Sequence, residues 1–130
     1  MKTVQQVSVI IDNAPGTLSR ICASLQEHEV NVQGFACWGE SDHGVVRMIC
    51  DRPLKALDLL EEAGMIALQH EVLELSRENR PGVLLEVAEA LCAAGVNIQY
   101  AYGTTPDQTR GSMYLGVDDP KGALEALRSR

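Results

Sequence analysis

One local pattern is written twice in this chain, 66 positions apart. Asn13-Ala14-Pro15-Gly16, an apolar helical stripe and Val30-Asn31-Val32-Gln33 return as Asn79-Arg80-Pro81-Gly82, a second stripe and Val96-Asn97-Ile98-Gln99. Packing alone asks only for apolar periodicity, so a turn and a strand start kept at the same separation mark a backbone geometry kept twice. The chain is thereby restricted to two similar units, residues 1–68 and 69–130. With 130 residues, 45% of them apolar, each unit alone has a marginal core, and the two are expected to stack.

Within each unit the periodicity changes from two to 3.6 and back. Val7, Val9 and Ile11 alternate as a strand that stops at Asn13-Ala14-Pro15-Gly16. Leu18, Ile21, Cys22 and Leu25 then form one helical stripe, repeated by Leu84, Val87, Ala88 and Leu91. Glu29 and Gly95 follow these helices, and only glycine enters a left-handed cap freely. Val30 to Trp38, a polar turn from Gly39 to Gly44, and Val45 to Cys50 read as a hairpin; Pro53 opens a helix through Leu54, Leu57 and Leu60 that closes near Gly64. The second unit offers Val96 to Tyr102, a turn through Thr104-Thr105-Pro106-Asp107, Met113 to Val117, and a helix from Pro120 with Leu124 and Leu127. Ile66 to Arg77 is one long strand able to close the first unit and open the second, whereas no strand follows the last helix. The expected class is α+β: two ferredoxin-like βαββαβ repeats, antiparallel sheets with helices on one face, the second lacking its last strand.

Composition removes several functions. A formal charge of −7 without any Lys/Arg run disfavours nucleic acid and anionic membranes. No leader pattern and no long apolar run are present, so a soluble, cytoplasmic protein is expected. Cys22, Cys37, Cys50 and Cys92 show neither Cys-x-x-Cys spacing nor matched places in the halves, and read as structural thiols. His28, His43 and His70 are scattered, so no metal site and no cofactor are expected. With no clustered nucleophile, base or phosphate-cradling loop, no catalytic residue is nominated.

The chemistry is expected at the strand-to-helix turns. Proline fixes φ and lacks an N–H, and glycine removes the side chain that would block approach. The amides of Gly16, Thr17 and Leu18, and of Gly82, Val83 and Leu84, then face outward at a positive helix end suited to a carboxylate. Arg80 adds a cation that the first half lacks, which makes the second turn the stronger anion site. Asn13 or Asn79 on the turn, with Asn31 or Asn97 at the next strand, offers donors and an acceptor together and so matches a zwitterion. The plainer reading of the same residues is that Asn before Pro-Gly forms the turn and caps the helix, and that Asn31 and Asn97 cap strand ends.

Asn-x-Pro-Gly-x-Leu, a helix and a Gly-Val-Asn-Ile type strand, here Asn13 to Leu18 with Val30 to Val32 and Asn79 to Leu84 with Gly95 to Ile98, resemble the ACT domain. The resemblance covers almost the whole chain as two repeats with no catalytic domain between them. It implies a small regulatory module that holds an amino acid between two copies, with Asn79, Gly82, Val83 and Leu84 meeting Asn31, Val32 and Gln33, or the symmetric set. The symmetric set is Asn13, Gly16, Thr17 and Leu18 with Asn97, Ile98, Gln99 and Tyr100, and Tyr102 lies on the same strand.

The leading expectation is a non-catalytic amino-acid sensor, a homodimer or higher homo-oligomer read by a partner protein. The alternatives are an assembly domain, or a regulatory subunit of a metabolic enzyme, without a ligand of its own. Tyr100, Tyr102 and Trp38 lean the ligand toward a mid-sized polar or aromatic side chain.

Overall fold

The computed structural model describes residues 1–105 and 107–128; Pro106 of the expected second hairpin turn lies outside the described residues. In chain order the elements are β1 (Lys2–Asp12), α1 (Thr17–Glu27), β2 (Val32–Glu40), β3 (His43–Cys50), α2 (Pro53–Glu62), β4 (Ile66–Glu78), α3 (Val83–Ala93), β5 (Ile98–Thr104), β6 (Arg110–Val117) and α4 (Pro120–Arg128). The strands pair antiparallel, and the class is α+β with two ferredoxin-like repeats.

Two compact units emerge. One is residues 5–70; the other joins residues 71–130 to residues 1–4. Both long strands are therefore divided in mid-course. The start of β4 serves the first unit, where Ala67 packs on the core and Gln69 Nε2 donates to Gln5 Oε1 at 2.9 Å. The start of β1 serves the second, where Lys2 Nζ lies 3.4 Å from Glu74 Oε2. The closing strand that the second repeat lacks after α4 is thus supplied from the other end of the chain, by a segment that reads locally as the opening of the first repeat.

In the first unit β3 lies between β1 and β2, and Val7, Val9, Val46 and Met48 on one face of these strands meet Ile21, Leu25, Leu59 and Leu60 of the helices. The second unit repeats this, with Leu73, Leu75, Met113 and Leu115 against Val87, Leu91 and Leu127. Each full burial of such a side chain contributes roughly 1.5–3 kcal/mol. The helical stripes hold at Ile21 and Leu25 and at Val87 and Leu91, but their first inward position is one residue earlier than expected. Thr17, Ile21 and Leu25 are buried in α1, and Val83, Val87, Ala90 and Leu91 in α3. Leu18 and Leu84, 36% and 64% exposed, are turned outward. A 3.6-residue period admits either face, and the turn decides between them. Gly16 at φ 88° and Gly82 at φ 91° are left-handed and start each helix so that the next residue points inward.

The first hairpin is tighter than expected. Gly39 pairs with Gly44 and Glu40 with His43, leaving only Ser41-Asp42 between the strands, with Ser41 at φ 57°. After α1, Glu29 accepts φ 58° where Gly95 follows α3 at 71°. A bulge falls at the same place in both units, between Val32 and Gly34 and between Ile98 and Tyr100. Beyond it the Tyr100 ring lies flat over Gly116, so closely that a methyl at that glycine would overlap it.

Two outcomes follow from this packing. Burial, and secondarily Asp51, pushes the Cys50 thiol up to about 11, while Cys22, Cys37 and Cys92 are exposed. A disulfide-exchange reagent at pH 8 is expected to titrate the three exposed thiols in the native protein and the fourth only after denaturant. Gly116→Ala should lower stability by about 1–3 kcal/mol, read from denaturant unfolding, because the added methyl displaces the Tyr100 ring.

Candidate functional site

Two repeats of one turn give two different environments. In each, an asparagine ties the turn to the tip of its own hairpin. The Asn13 N–H donates to the Asp42 carbonyl at 2.9 Å and its Nδ2 to the Ser41 carbonyl at 2.9 Å. In the second unit the Asn79 N–H donates to the Thr109 carbonyl at 2.9 Å, and Nδ2 reaches the Asp107 carbonyl at 3.4 Å. The turn-forming reading of these asparagines is therefore realised, and one side-chain donor of each is occupied. The helix starts are partly satisfied as well. Thr17 and Val83 N–H groups turn toward the Ala14 and Arg80 carbonyls at 3.4 Å, while the N–H groups of Gly16, Leu18, Gly82 and Leu84 have no backbone acceptor among the described residues.

A surface-open cavity of about 530 Å³ lies at the second turn. Its floor is apolar, from Val83, Leu84, Ala101, Met113 and Leu115, and its rim is polar, from Arg77, Glu78, Asn79, Arg80, Thr104 and Ser112. β4 places Arg77 by simple alternation: Leu73 and Leu75 face the core, and the next inward position is the guanidinium, opposite Gly111 of β6. Across the register Ala101 pairs with Leu115 and Gly103 with Met113, so the part of β5 that faces α3 carries only a methyl and a hydrogen there. The longer hairpin turn is held open by Asp107, whose Oδ1 accepts from Thr109 N at 2.7 Å and Arg110 N at 3.0 Å. The Thr109 bonds, side-chain first, hold that carboxyl below the usual range.

Arg80 is not the free cation that its position promises. Its Nη1 and Nη2 fork onto Glu86 at 2.9 and 3.0 Å, and its Nε donates to Glu78 at 3.1 Å. The hydrogen bonds from Arg80 depress the Glu86 carboxyl, and those carboxylates raise Arg80. Because the folded-state value of Glu86 is lowered, the fork is intact at neutral pH and is lost as pH falls through that value. Arg77 donates only to the Ser76 carbonyl, at 3.3 Å, and forms no ion pair among the described residues. Of the two rim guanidiniums, Arg77 is the one without an ion-pair partner among the described residues, although its charge also helps to lower the Glu86 carboxyl.

Of the residues singled out in sequence, Asn79, Arg80, Val83 and Leu84 line this cavity, with Gly82 in the same turn. Asn97, Ile98, Gln99 and Tyr100 do not: Ile98 packs on the core and Tyr100 covers Gly116. Asn13, Gly16, Thr17, Leu18, Asn31, Val32 and Gln33 belong to the unit of residues 5–70. Asn31 and Asn97 share one structural task. The Asn31 N–H donates to Asp51 Oδ1 and the Asn97 N–H to Asp118 Oδ1, both at 2.9 Å, while each aspartate N–H returns a bond to the asparagine carbonyl. The aromatics are also engaged, Tyr102 with Tyr114 at 5.2 Å and Trp38 with Arg47 at 4.6 Å, although Tyr102 also contributes to the cavity. Arg77, Ala101, Gly103 and Met113 escaped sequence reasoning. The available signal was Arg77 interrupting the inward Leu73, Leu75 alternation. Among the described residues no group of three or more His, Cys, Asp or Glu could hold a metal, and no helix is long and apolar enough to cross a membrane.

Comparison with known proteins agrees with this architecture. The family model described as an ACT domain pair matches residues 2–127. A search of curated proteins finds no match. Among solved structures, a protein from Bacteroides thetaiotaomicron superposes with a TM-score of 0.91 at 24% identity, covering 98% of this chain and 88% of that one. The ligand-free regulatory subunit of aspartate kinase from Thermus thermophilus gives 0.72 at 18% identity, covering 99% and 97%. E. coli aspartokinase III, in complex with aspartate and ADP, gives 0.63 at 16% identity, with 98% of this chain but 32% of that chain covered. At these identities the likeness is one of fold.

One difference between the turns is open to direct test. Thr17 Oγ1 is buried without a hydrogen-bond partner where the second unit has Val83. Thr17→Val is expected to raise stability by about 1 kcal/mol in thermal or urea unfolding, since it replaces an unsatisfied hydroxyl by an isosteric methyl.

Proposed function

Since the chain belongs to the ACT domain pair family, whose modules are regulatory rather than catalytic, we propose that it is a sensor that binds a free amino acid at the second Asn-Arg-Pro-Gly turn. The observation that carries this reading is the cavity itself: an apolar floor beside exposed N–H groups of a helix start, rimmed by both charge signs. Carboxylate, ammonium and side chain of one small zwitterion each find a chemically matched wall there. The Leu84 and Gly82 amides face the carboxylate, the free oxygens of Asn79 and Glu78 face the ammonium, and Val83 and Met113 face the side chain.

Such a ligand, of about ten heavy atoms, reaches about −8 kcal/mol, a dissociation constant near 1 µM, within ordinary ligand efficiency. Regulation then follows by population shift, limited by how differently the ligand binds two arrangements of the protein, and a partner protein reads the outcome. Self-association belongs to the same proposal. β2 is paired on one side only among the described residues, which leaves an edge for a further copy, with Phe35, 60% exposed, on one face of it.

Thermal unfolding in the presence of each common amino acid tests the reading. At a hundredfold excess over the dissociation constant, at least one should stabilise the protein by ~2.7 kcal/mol. A flat response across the whole panel removes the sensor function.

A further inference from the structure

We infer that each chain carries a single ligand site, confined to the second repeat, selective for a neutral amino acid with an apolar side chain whose carboxylate is held by Arg77. The inference rests on the sensor reading and goes further, because the repeat by itself predicts two equivalent sites.

Matching the repeats position by position shows why the first cannot do the same chemistry. Where the second has Arg77, the first has Ile11, which packs against its own core; where the second has Arg80, the first has Ala14. No guanidinium is therefore built into the first turn. The space differs too. Phe35 and Cys37 pair with Met48 and Val46 as Ala101 and Gly103 pair with Leu115 and Met113, so a phenyl ring and a thiol stand where the second repeat has a methyl and a hydrogen. The hairpin tip is also shut. The Asn13 side chain sits so tightly over Gly39 that no Cβ would fit there, whereas Asn79 makes the longer 3.4 Å reach to a wider turn.

The same comparison selects the ligand class. Glu86 and Glu78 neutralise Arg80, which leaves Arg77, whose charge also reaches Glu86, as the guanidinium without an ion pair that can meet a carboxylate, and leaves no second unpaired cation among the described lining residues for an acidic side chain. A basic side chain would lie on Val83, Leu84, Ala101, Met113 and Leu115, without a carboxylate among these floor residues. An aliphatic or thioether side chain loses nothing by entering that floor.

Isothermal titration of the full chain with L-valine, L-leucine, L-methionine, L-phenylalanine, L-aspartate and L-lysine tests this. One or more of the four apolar amino acids should bind with one site per chain, and at least tenfold more tightly than L-aspartate or L-lysine. Arg77→Gln should weaken binding by roughly tenfold or more, the effect of removing a charge-assisted hydrogen bond, and Arg80→Gln by less. Ala101→Phe should abolish binding; circular dichroism and the unfolding midpoint verify that each variant is folded, and Arg77→Gln on the rim carries the test if Ala101→Phe is not. Two sites per chain, preference for a charged side chain, or wild-type affinity in folded Arg77→Gln overturns this inference while leaving the sensor intact. Failure of every amino acid in the wild-type protein overturns both.

Discussion

The clasp between each Asn-x-Pro-Gly turn and the tip of its own hairpin organises everything else in a repeat. The asparagine N–H fixes the turn to a hairpin carbonyl at 2.9 Å in both units. The left-handed glycine three residues later then sets which side of the helix faces the sheet. This places Thr17 or Val83 inward, turns the following leucine outward, and leaves N–H groups at the helix start beside the edge of the sheet. The clasp ties the helix start, the inward residue and the hairpin tip together in one corner.

The two corners share a backbone and differ in their chemistry. Duplication preserved what the fold requires: the asparagine clasp, the left-handed glycine, the Asn31–Asp51 and Asn97–Asp118 backbone pairs, and the bulge after the first strand residue. The positions that the fold leaves free have diverged, Ile11 against Arg77, Ala14 against Arg80, Phe35 against Ala101 and Thr17 against Val83. Function in a duplicated protein is better sought in those differences than in the invariant motif. The recurring Asn and Gly residues are largely accounted for by structure, whereas the cavity owes its guanidiniums and its open floor to Arg77, Arg80, Ala101 and Gly103, which have no counterpart of the same kind in the first repeat.

Most of the architecture was legible because it is local. Period-two segments, 3.6-residue stripes and Pro-Gly punctuation located the elements, and the family resemblance is matched over residues 2–127. The features that escaped share a cause, dependence on partners distant in sequence. The closing strand of the second unit is residues 2–4, which no local pattern links to residues 71–130. The shift of the first inward position in both helices was hidden because Leu18 and Leu84 fit the period as well as Thr17 and Val83 do. Arg80 read as a free cation because its neutralising partner Glu86 lies a turn into the helix. Arg77 looked like the ordinary end of a strand until its alternation with Leu73 and Leu75 placed it over the cavity floor.

A ligand seated at the second corner and absent from the first is the central claim, and backbone amide NMR reports on both corners at once. On titrating the isotope-labelled protein with an equimolar mixture of L-valine, L-leucine, L-methionine and L-phenylalanine, the account predicts saturable shifts concentrated at residues 77–84, 101–105 and 111–115. Shifts concentrated instead at residues 11–18 and 35–48, or equal in the two sets, would contradict it.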